Sequence, residues 1–117
     1  MRIFTGTTIA THDGYISLYQ DLDVKHQRMG SSIVRSFKND HSVRSVTKVT
    51  SVNVSKLVES ITRRCCWYNA SRIAKKPSIV MKMDIEGAEY RAIPELIETG
   101  MICNVDLIFV EWHRPNK

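Results

Sequence analysis

Apolar and polar positions repeat with two different periods along the chain, and together they predict alternating strands and helices. One stretch spaces Leu57, Val58 and Ile61 three and four residues apart, which is typical of one face of a helix. Shorter stretches are rich in β-branched and aromatic residues, which favours strands. The predicted strands cover residues 2–10, 15–19, 46–52, 78–83 and 106–112, and the predicted helices cover residues 56–64 and 87–99.

Residues 2–20 are predicted to form a hairpin at the N-terminus. His12-Asp13-Gly14 separates two strand-like stretches, and the glycine supplies the positive φ angle that a tight turn needs. Residues 21–45 are polar and are expected to form a long loop with a short strand near Ser32–Arg35. Loops of this length are uncommon in compact domains and are often functional.

Capping and helix-breaking residues predict where the helices begin and end. Ser55 is the predicted N-cap of the first helix, and residues 65–77 are expected to form a basic linker after it. Pro94 lacks an amide donor and is expected to break or kink the second helix, giving one piece near residues 87–93 and a short one near residues 94–99. Gly100 is expected to end that helix.

Residues 78–112 predict a β-α-β unit within a single α/β domain. The strand at 78–83 is almost continuously apolar, which is typical of a strand covered on both faces. A strand, a helix and a second strand in succession place the two strands parallel. Their carboxyl ends then meet at one edge of the sheet, where ligands bind in open α/β sheets.

Ionisable side chains follow both strands of this unit. Lys82 and Asp84 lie on one side of the first strand, and Glu111 and His113 lie on one side of the last. With Glu86 they are expected to converge on one crevice if the strands are neighbours. A carboxylate there can accept a proton from a hydroxyl or an amine, and carboxylates with an imidazole can hold a divalent metal.

A purely structural interpretation of the same residues stays open. Lys82 and Asp84 can form an internal ion pair, and Glu86 and Glu89 can complement the positive end of the following helix. Sequence patterns for a phosphate-binding loop and for a serine nucleophile are both absent, so neither chemistry is predicted.

Composition and charge narrow the choice of function only slightly. The hydrophobic content of 43% and the charged content of 25% are typical of a folded domain. The net charge is +8 over residues 1–77 and −3 over residues 78–117. That asymmetry allows a nucleic-acid surface, but no basic run of five residues occurs, so solvated Lys and Arg are favoured and no nucleic-acid partner is expected.

Cysteine usage and hydropathy add three expectations. The three cysteines, two of them adjacent, are expected to be reduced thiols packed as small apolar residues. No apolar run approaches the roughly 18–20 residues that span a bilayer, so no membrane segment is expected. The first residues are too polar for a good signal peptide, which leaves a cytoplasmic location as the default.

The stretch KMDIEGAEY, residues 82–90, resembles the signature of FkbM-type S-adenosylmethionine-dependent methyltransferases, which is close to Lys-x-Asp-x-Glu-Gly-Ala-Glu. Weaker similarities to the family lie on both sides of this stretch, occur in the same order as in the family and cover most of the chain. They are residues 9–14, the patch at residues 30–32, the strand-to-helix step at residues 52–57, PELIETG and DLIFVEWH. Ser55 stands where the family usually has an aspartate.

The resemblance implies a partial Rossmann-like methyltransferase domain, with a mixed sheet, an N-terminal hairpin and a C-terminal β-α-β unit. The family's glycine-rich cofactor loop has no counterpart, so the chain is expected to be a C-terminal portion of that domain. The implied activity is methyl transfer from S-adenosylmethionine to a hydroxyl of a small molecule or glycan. Asp84, Glu86 and His113 are the expected catalytic residues, and Ala10 and Lys82 the expected cofactor contacts.

Two other functions remain as alternatives. A sheet without its first strands exposes apolar faces and an unpaired edge, so the chain can instead be a non-catalytic remnant that binds a partner, or a second copy of itself, through the exposed sheet edge. Nucleic-acid binding through the basic first part is the weaker alternative, and it requires a steep dependence on salt.

Overall fold

The computed structural model describes residues 7–20, 31–34, 45–69 and 78–113, and in these ranges the protein is a mixed α/β structure. The elements follow one another in an order close to the predicted one. They are β1 (Thr7–Ala10), β2 (Gly14–Gln20), β3 (Ser45–Asn53), α1 (Val54–Asn69), β4 (Val80–Met83), α2 (Glu89–Glu98), a short 3-10 helix (Met101–Asn104) and β5 (Leu107–Val110).

The described strands form two sheets. β3 is central in a three-stranded sheet of order β1-β3-β2, in which β1 runs parallel to β3 and β2 runs antiparallel to it. β4 and β5 form a separate parallel pair. The predicted parallel pair of the β-α-β unit is therefore confirmed. The two segments stay paired one step beyond the strands, because the Glu111 amide donates a hydrogen bond to the Met83 carbonyl oxygen at 2.9 Å.

The predicted N-terminal hairpin is wrong, because β3 lies between β1 and β2. Asn53, the last residue of β3, explains the difference: its side-chain amide donates to the Thr11 carbonyl oxygen at 2.6 Å, and its backbone amide donates to Asp13 Oδ1 at 2.8 Å. The connection from β1 to β2 therefore crosses the end of β3. Gly14 does take the expected positive φ, at 129°. Residues 2–6 of the predicted first strand lie outside the described residues.

An ion pair at this crossing ties the β1–β2 connection to α1. The Lys56 ammonium lies 2.6 Å from Asp13 Oδ2. The pKa of Asp13 lies below its ordinary value, chiefly because the Asn53 amide donates to it and then because Lys56 does. The same contact raises the pKa of Lys56. Since both groups are exposed, the ion pair contributes little to the free energy of unfolding, and its main effect is to position the β1–β2 connection against α1.

Helix α1 begins earlier and ends later than predicted. Asn53 is its N-cap, because Asn53 Oδ1 accepts the Lys56 amide at 2.9 Å. Ser55, the predicted cap, is buried within the first turn, and its hydroxyl lies 2.8 Å from Thr99 Oγ1. Residues 65–69 are helical, so the linker prediction is wrong there, and residues 70–77 lie outside the described ranges. No Gly or Pro interrupts residues 65–69.

Helix α2 runs through Pro94 without the predicted break. Proline removes the bond to the carbonyl four residues earlier, which belongs to Tyr90. Pro94 and Tyr90 are both exposed, so water can satisfy that carbonyl. Gly100, with φ at 69°, follows the helix as predicted.

The core joins the two sheets through both helices. Val58 and Leu96 are fully buried at its centre, and the other buried members are Val54, Met83 and Ala92. Strand β4 reaches this core through only one side, so the prediction that it is covered on both faces is wrong. The opposite side, here called the Phe109 face, carries Val80, Lys82, Leu107 and Phe109 and is exposed.

Cys103 is a free thiol and is exposed, so the prediction that it packs as a small apolar residue is wrong. It lies in the 3-10 helix, none of whose residues is fully buried. The side chains of Cys65 and Cys66 lie outside the described part of the structure.

Candidate functional site

Three of the predicted site residues meet at the carboxyl ends of β4 and β5. His113 Nε2 lies 3.6 Å from Asp84 Oδ1 and 3.7 Å from Glu86 Oε1. The parallel pairing causes this convergence, since it brings the residues that follow both strands to one edge. Asp84, Glu86 and His113 are called the Asp84 cluster below. The imidazole is largely buried, whereas the Asp84 carboxylate is open to solvent.

Glu89 supports the cluster from the buried side, although its position in the sequence predicted only a charge at the helix terminus. Its side chain is completely buried. Glu89 Oε2 accepts the Gly87 amide at 2.8 Å, and Glu89 Oε1 accepts the His113 amide at the same distance. Glu89 Oε1 also lies 3.3 Å from His113 Nδ1. Glu89 therefore holds both the backbone and the ring of His113. Its place as the last acid of the KMDIEGAEY motif was the available signal.

The turn that carries Glu86 has a strained backbone. Glu86 takes a φ of 49°, which costs a residue with a side chain about 1–2 kcal/mol, and Gly87 follows at 93°. The buried Ser32 hydroxyl donates to the Glu86 carbonyl oxygen and holds the turn in this conformation. The Glu86 side chain is thereby directed toward His113.

Ser32 is itself fixed by strand β2. Its backbone exchanges two hydrogen bonds with Tyr19, at 2.8 and 3.0 Å, and its hydroxyl accepts the Val34 amide at 3.0 Å. The short strand predicted near Ser32–Arg35 is thus a single antiparallel bridge in the described residues, and Arg35 lies outside them. Through Ser32 the three-stranded sheet supports the Asp84 cluster.

Lys82 and Glu111 lie at the rim of the cluster. Lys82 Nζ is 3.6 Å from Asp84 Oδ2, and the Lys82 side chain is 72% exposed. An ion pair this exposed contributes at most about 1 kcal/mol. Glu111 Oε1 is 3.9 Å from His113 Nε2 and is also exposed. The sequence predicted that both residues converge on the crevice with Asp84, and the structure places them next to it with mostly exposed side chains.

Ala10 lines a cavity that includes neither Lys82 nor the residues of the Asp84 cluster. The cavity is bounded by the ends of β1 and α2 and by the 31–34 segment, and its lining residues are Ala10, Thr11, His12, Ile16, Ile33, Val34, Ala88, Arg91 and Ala92. Lys82 instead lines a second cavity with Ile9, Leu57 and Met81. The two expected cofactor contacts are therefore not brought together, whereas Ala88 connects the Ala10 cavity to the turn of Glu86.

Tyr90 and Trp112 form an aromatic pair. Their ring centroids are 5.3 Å apart, and the rings are tilted by 57°. Tyr90 follows Glu89 in the sequence, and Trp112 precedes His113. Both rings are about half exposed. The pair therefore joins the first turn of α2 to the segment after β5, as the contact between Glu89 and His113 also does.

No family model, curated protein or solved structure matches this chain. None of the helices in the described ranges has both the length and the apolar character that crossing a bilayer requires.

Proposed function

We propose that the chain carries the acceptor end of an FkbM-type, S-adenosylmethionine-dependent O-methyltransferase site. The observation that carries the proposal is the convergence of Asp84, Glu86 and His113, with ligand atoms within 4.8 Å of one another, at the carboxyl ends of two parallel strands. Ligands bind at that edge of α/β sheets. The KMDIEGAEY motif, which supplies two of the three residues, is the basis of the resemblance.

In this proposal Asp84 is the base that takes the proton from the acceptor hydroxyl. Its carboxylate is the most accessible of the cluster, so a hydroxyl can reach it from solvent. Glu86 and His113 orient the same hydroxyl, because Glu86 Oε1 and His113 Nε2 lie 3.7 Å apart beside Asp84. Ser32 holds the backbone of Glu86, and Glu89 holds the ring of His113. Alignment of the acceptor oxygen supplies much of the catalysis, as in other reactions between two bound groups.

The lining of the Ala10 cavity has the chemical character that borders an adenine ring, but its volume of about 30 Å³ is far smaller than the base, so binding requires its walls to move apart. Ala10, Ala88 and Ala92 give it small walls, and Ile33 and Val34 give it an apolar side. A flat base packs against walls of this kind, and the Arg91 guanidinium can contact an anionic group at the edge. When bound, S-adenosylmethionine supplies an electrophilic methyl group. The acceptor is a small-molecule or glycan-like hydroxyl.

Isothermal titration calorimetry of the full 117-residue chain tests the proposal. S-adenosylmethionine or its demethylated product is expected to bind, and Arg91→Ala is expected to weaken that binding about tenfold, the equivalent of one charged hydrogen bond. Arg64→Ala removes an exposed arginine of α1 and is the matched control, with no expected effect. If neither compound binds the unmodified chain, the proposal is wrong for this chain.

The Phe109 face supports a second candidate function, self-association with another copy of the chain. Phe109 is 57% exposed and Val80 is 60% exposed, and together with Leu107 they form a contiguous apolar surface on a two-stranded sheet. Surfaces of this kind commonly mark protein interfaces. A second copy is the proposed occupant because it would bring the same apolar face to the contact.

Sedimentation equilibrium at several protein concentrations distinguishes this candidate. The average mass is expected to rise with concentration, and Phe109→Glu is expected to abolish the rise because it removes the largest apolar side chain of this face. Val46→Glu is the control, since Val46 is an equally exposed apolar strand residue of the other sheet. A chain that stays monomeric at every concentration excludes self-association through this face.

A further inference from the structure

We propose that the Asp84 cluster binds a divalent transition-metal ion such as Zn²⁺. The cluster joins three donor groups that such ions use, two carboxylates and one imidazole. The proposal rests on the geometry of these side chains and not on methyl transfer. While an ion is bound, Asp84 is its ligand rather than the base described above.

The spacing of the donor atoms suits one ion placed between them. His113 Nε2 is 3.6 Å from Asp84 Oδ1 and 3.7 Å from Glu86 Oε1, distances too long for hydrogen bonds. Two ligands about 2.1 Å from one ion at tetrahedral angles are roughly 3.4 Å apart. The two His113 distances are thus within about 0.3 Å of that value. The carboxylate oxygens of Asp84 and Glu86 lie within 4.8 Å of each other, so they must approach by up to about 1.4 Å to share an ion.

The imidazole is oriented as in metal sites where a carboxylate supports the histidine. Glu89 Oε1 lies 3.3 Å from Nδ1, so a proton on Nδ1 satisfies that contact and the lone pair of Nε2 faces Asp84 and Glu86. Glu89 is completely buried and is held by two backbone amides, so it cannot turn away from the ring. The orientation of the ring is therefore set before an ion binds.

Charge balance also favours a divalent cation. Two carboxylates whose oxygens lie within 4.8 Å of each other repel, and a doubly charged ion between them balances both. Lys82 does not fill this place, because its ammonium lies on the outer oxygen of Asp84, Oδ2, while Oδ1 faces His113. Three protein ligands leave a coordination position on the exposed side of Asp84. An oxygen ligand from solvent or from a bound molecule can occupy it.

Titration of the full chain with Co²⁺ tests the site, because Co²⁺ in a low-symmetry protein site absorbs visible light. We expect one bound ion per chain, displaced by Zn²⁺ but not by Mg²⁺ at the same concentration, since imidazole favours the transition metal. Asp84→Asn is expected to weaken binding by about 100-fold or more, because loss of even a supporting group costs about 10–100-fold. Glu98→Gln makes the same change at an exposed position of α2 and should leave binding unchanged.

Circular dichroism of each variant separates lost binding from lost folding. If Asp84→Asn does not fold, Glu86→Gln is measured instead, and we expect the same loss of metal affinity. Absence of a visible Co²⁺ spectrum for the unmodified chain overturns the proposal. So does undiminished binding by a folded Asp84→Asn or Glu86→Gln variant, or a spectrum with the intense bands of a cobalt–thiolate bond, which would place the ion at a cysteine.

Discussion

Replacing Glu89 with alanine is expected to lower the free energy of unfolding by about 3–5 kcal/mol. The Glu89 side chain is completely buried, and its carboxyl group accepts the amides of Gly87 and His113, each at 2.8 Å. Alanine removes both acceptors, and each amide left without a partner away from water costs about 1–3 kcal/mol. Urea denaturation followed by circular dichroism measures the change through the midpoint and the slope.

Two further variants separate this role of Glu89 from a general effect of removing an acid. Glu98→Ala makes the same change at an exposed position of the same helix and is expected to stay within about 0.5 kcal/mol of the unmodified chain. Glu89→Gln keeps the shape of the side chain and one acceptor oxygen, so its free energy of unfolding should lie between those of Glu89→Ala and the unmodified chain. A loss below about 1 kcal/mol for Glu89→Ala would show that the two amides find other acceptors.

Glu89 also explains why the candidate site and the fold depend on the same contact. It connects the first turn of α2 to the residues after β5, and so it closes the β4–α2–β5 unit at its carboxyl edge. The same oxygen that accepts the His113 amide lies beside the His113 ring. A change at Glu89 therefore alters the orientation of the imidazole even in a chain that still folds.

The sequence predicted the carboxyl edge of the β-α-β unit because that arrangement depends on local patterns. An apolar strand, an amphipathic helix and a second apolar strand can pack compactly only with the strands parallel. Once β4 and β5 are parallel, the residues that follow them must meet, whatever the details of the rest of the chain. The convergence of Asp84, Glu86 and His113 follows from this topology and from strand alternation.

Features that depend on distant partners were not predictable in the same way. The Asp-Gly pair indicates a turn, but it does not say that β3 will enter between β1 and β2 and be held there by Asn53. Pro94 predicts a helix break, but the helix continues because the Tyr90 carbonyl that loses its hydrogen bond belongs to an exposed residue. That exposure depends on the fold and cannot be read from the sequence. Burial of Glu89 depends on two amides that are distant from each other in sequence, and no periodicity reveals that pairing.

Replacing Leu96 with alanine is expected to cost about 2–5 kcal/mol of unfolding free energy. Leu96 is completely buried at the centre of the core, where it belongs to the same cluster as Val58 of α1 and Met83 of β4. Alanine there loses the transfer free energy of the missing carbon atoms and leaves a cavity. Because this cluster joins the three-stranded sheet, through α1, to the β4–β5 pair, the loss should appear in the unfolding of both parts.

Ile97→Ala is the matched control for this prediction, since Ile97 is the next residue of α2, has a similar volume and is 58% exposed. Ile97→Ala should lower the free energy of unfolding by less than about 1 kcal/mol, because most of the side chain is already in water. Leu96→Met conserves the volume and should cost less than about 1.5 kcal/mol. Equal losses for Leu96→Ala and Ile97→Ala would mean that Leu96 is not at the centre of the core. Two separate unfolding transitions, with only one shifted by Leu96→Ala, would mean that this core does not couple the two sheets.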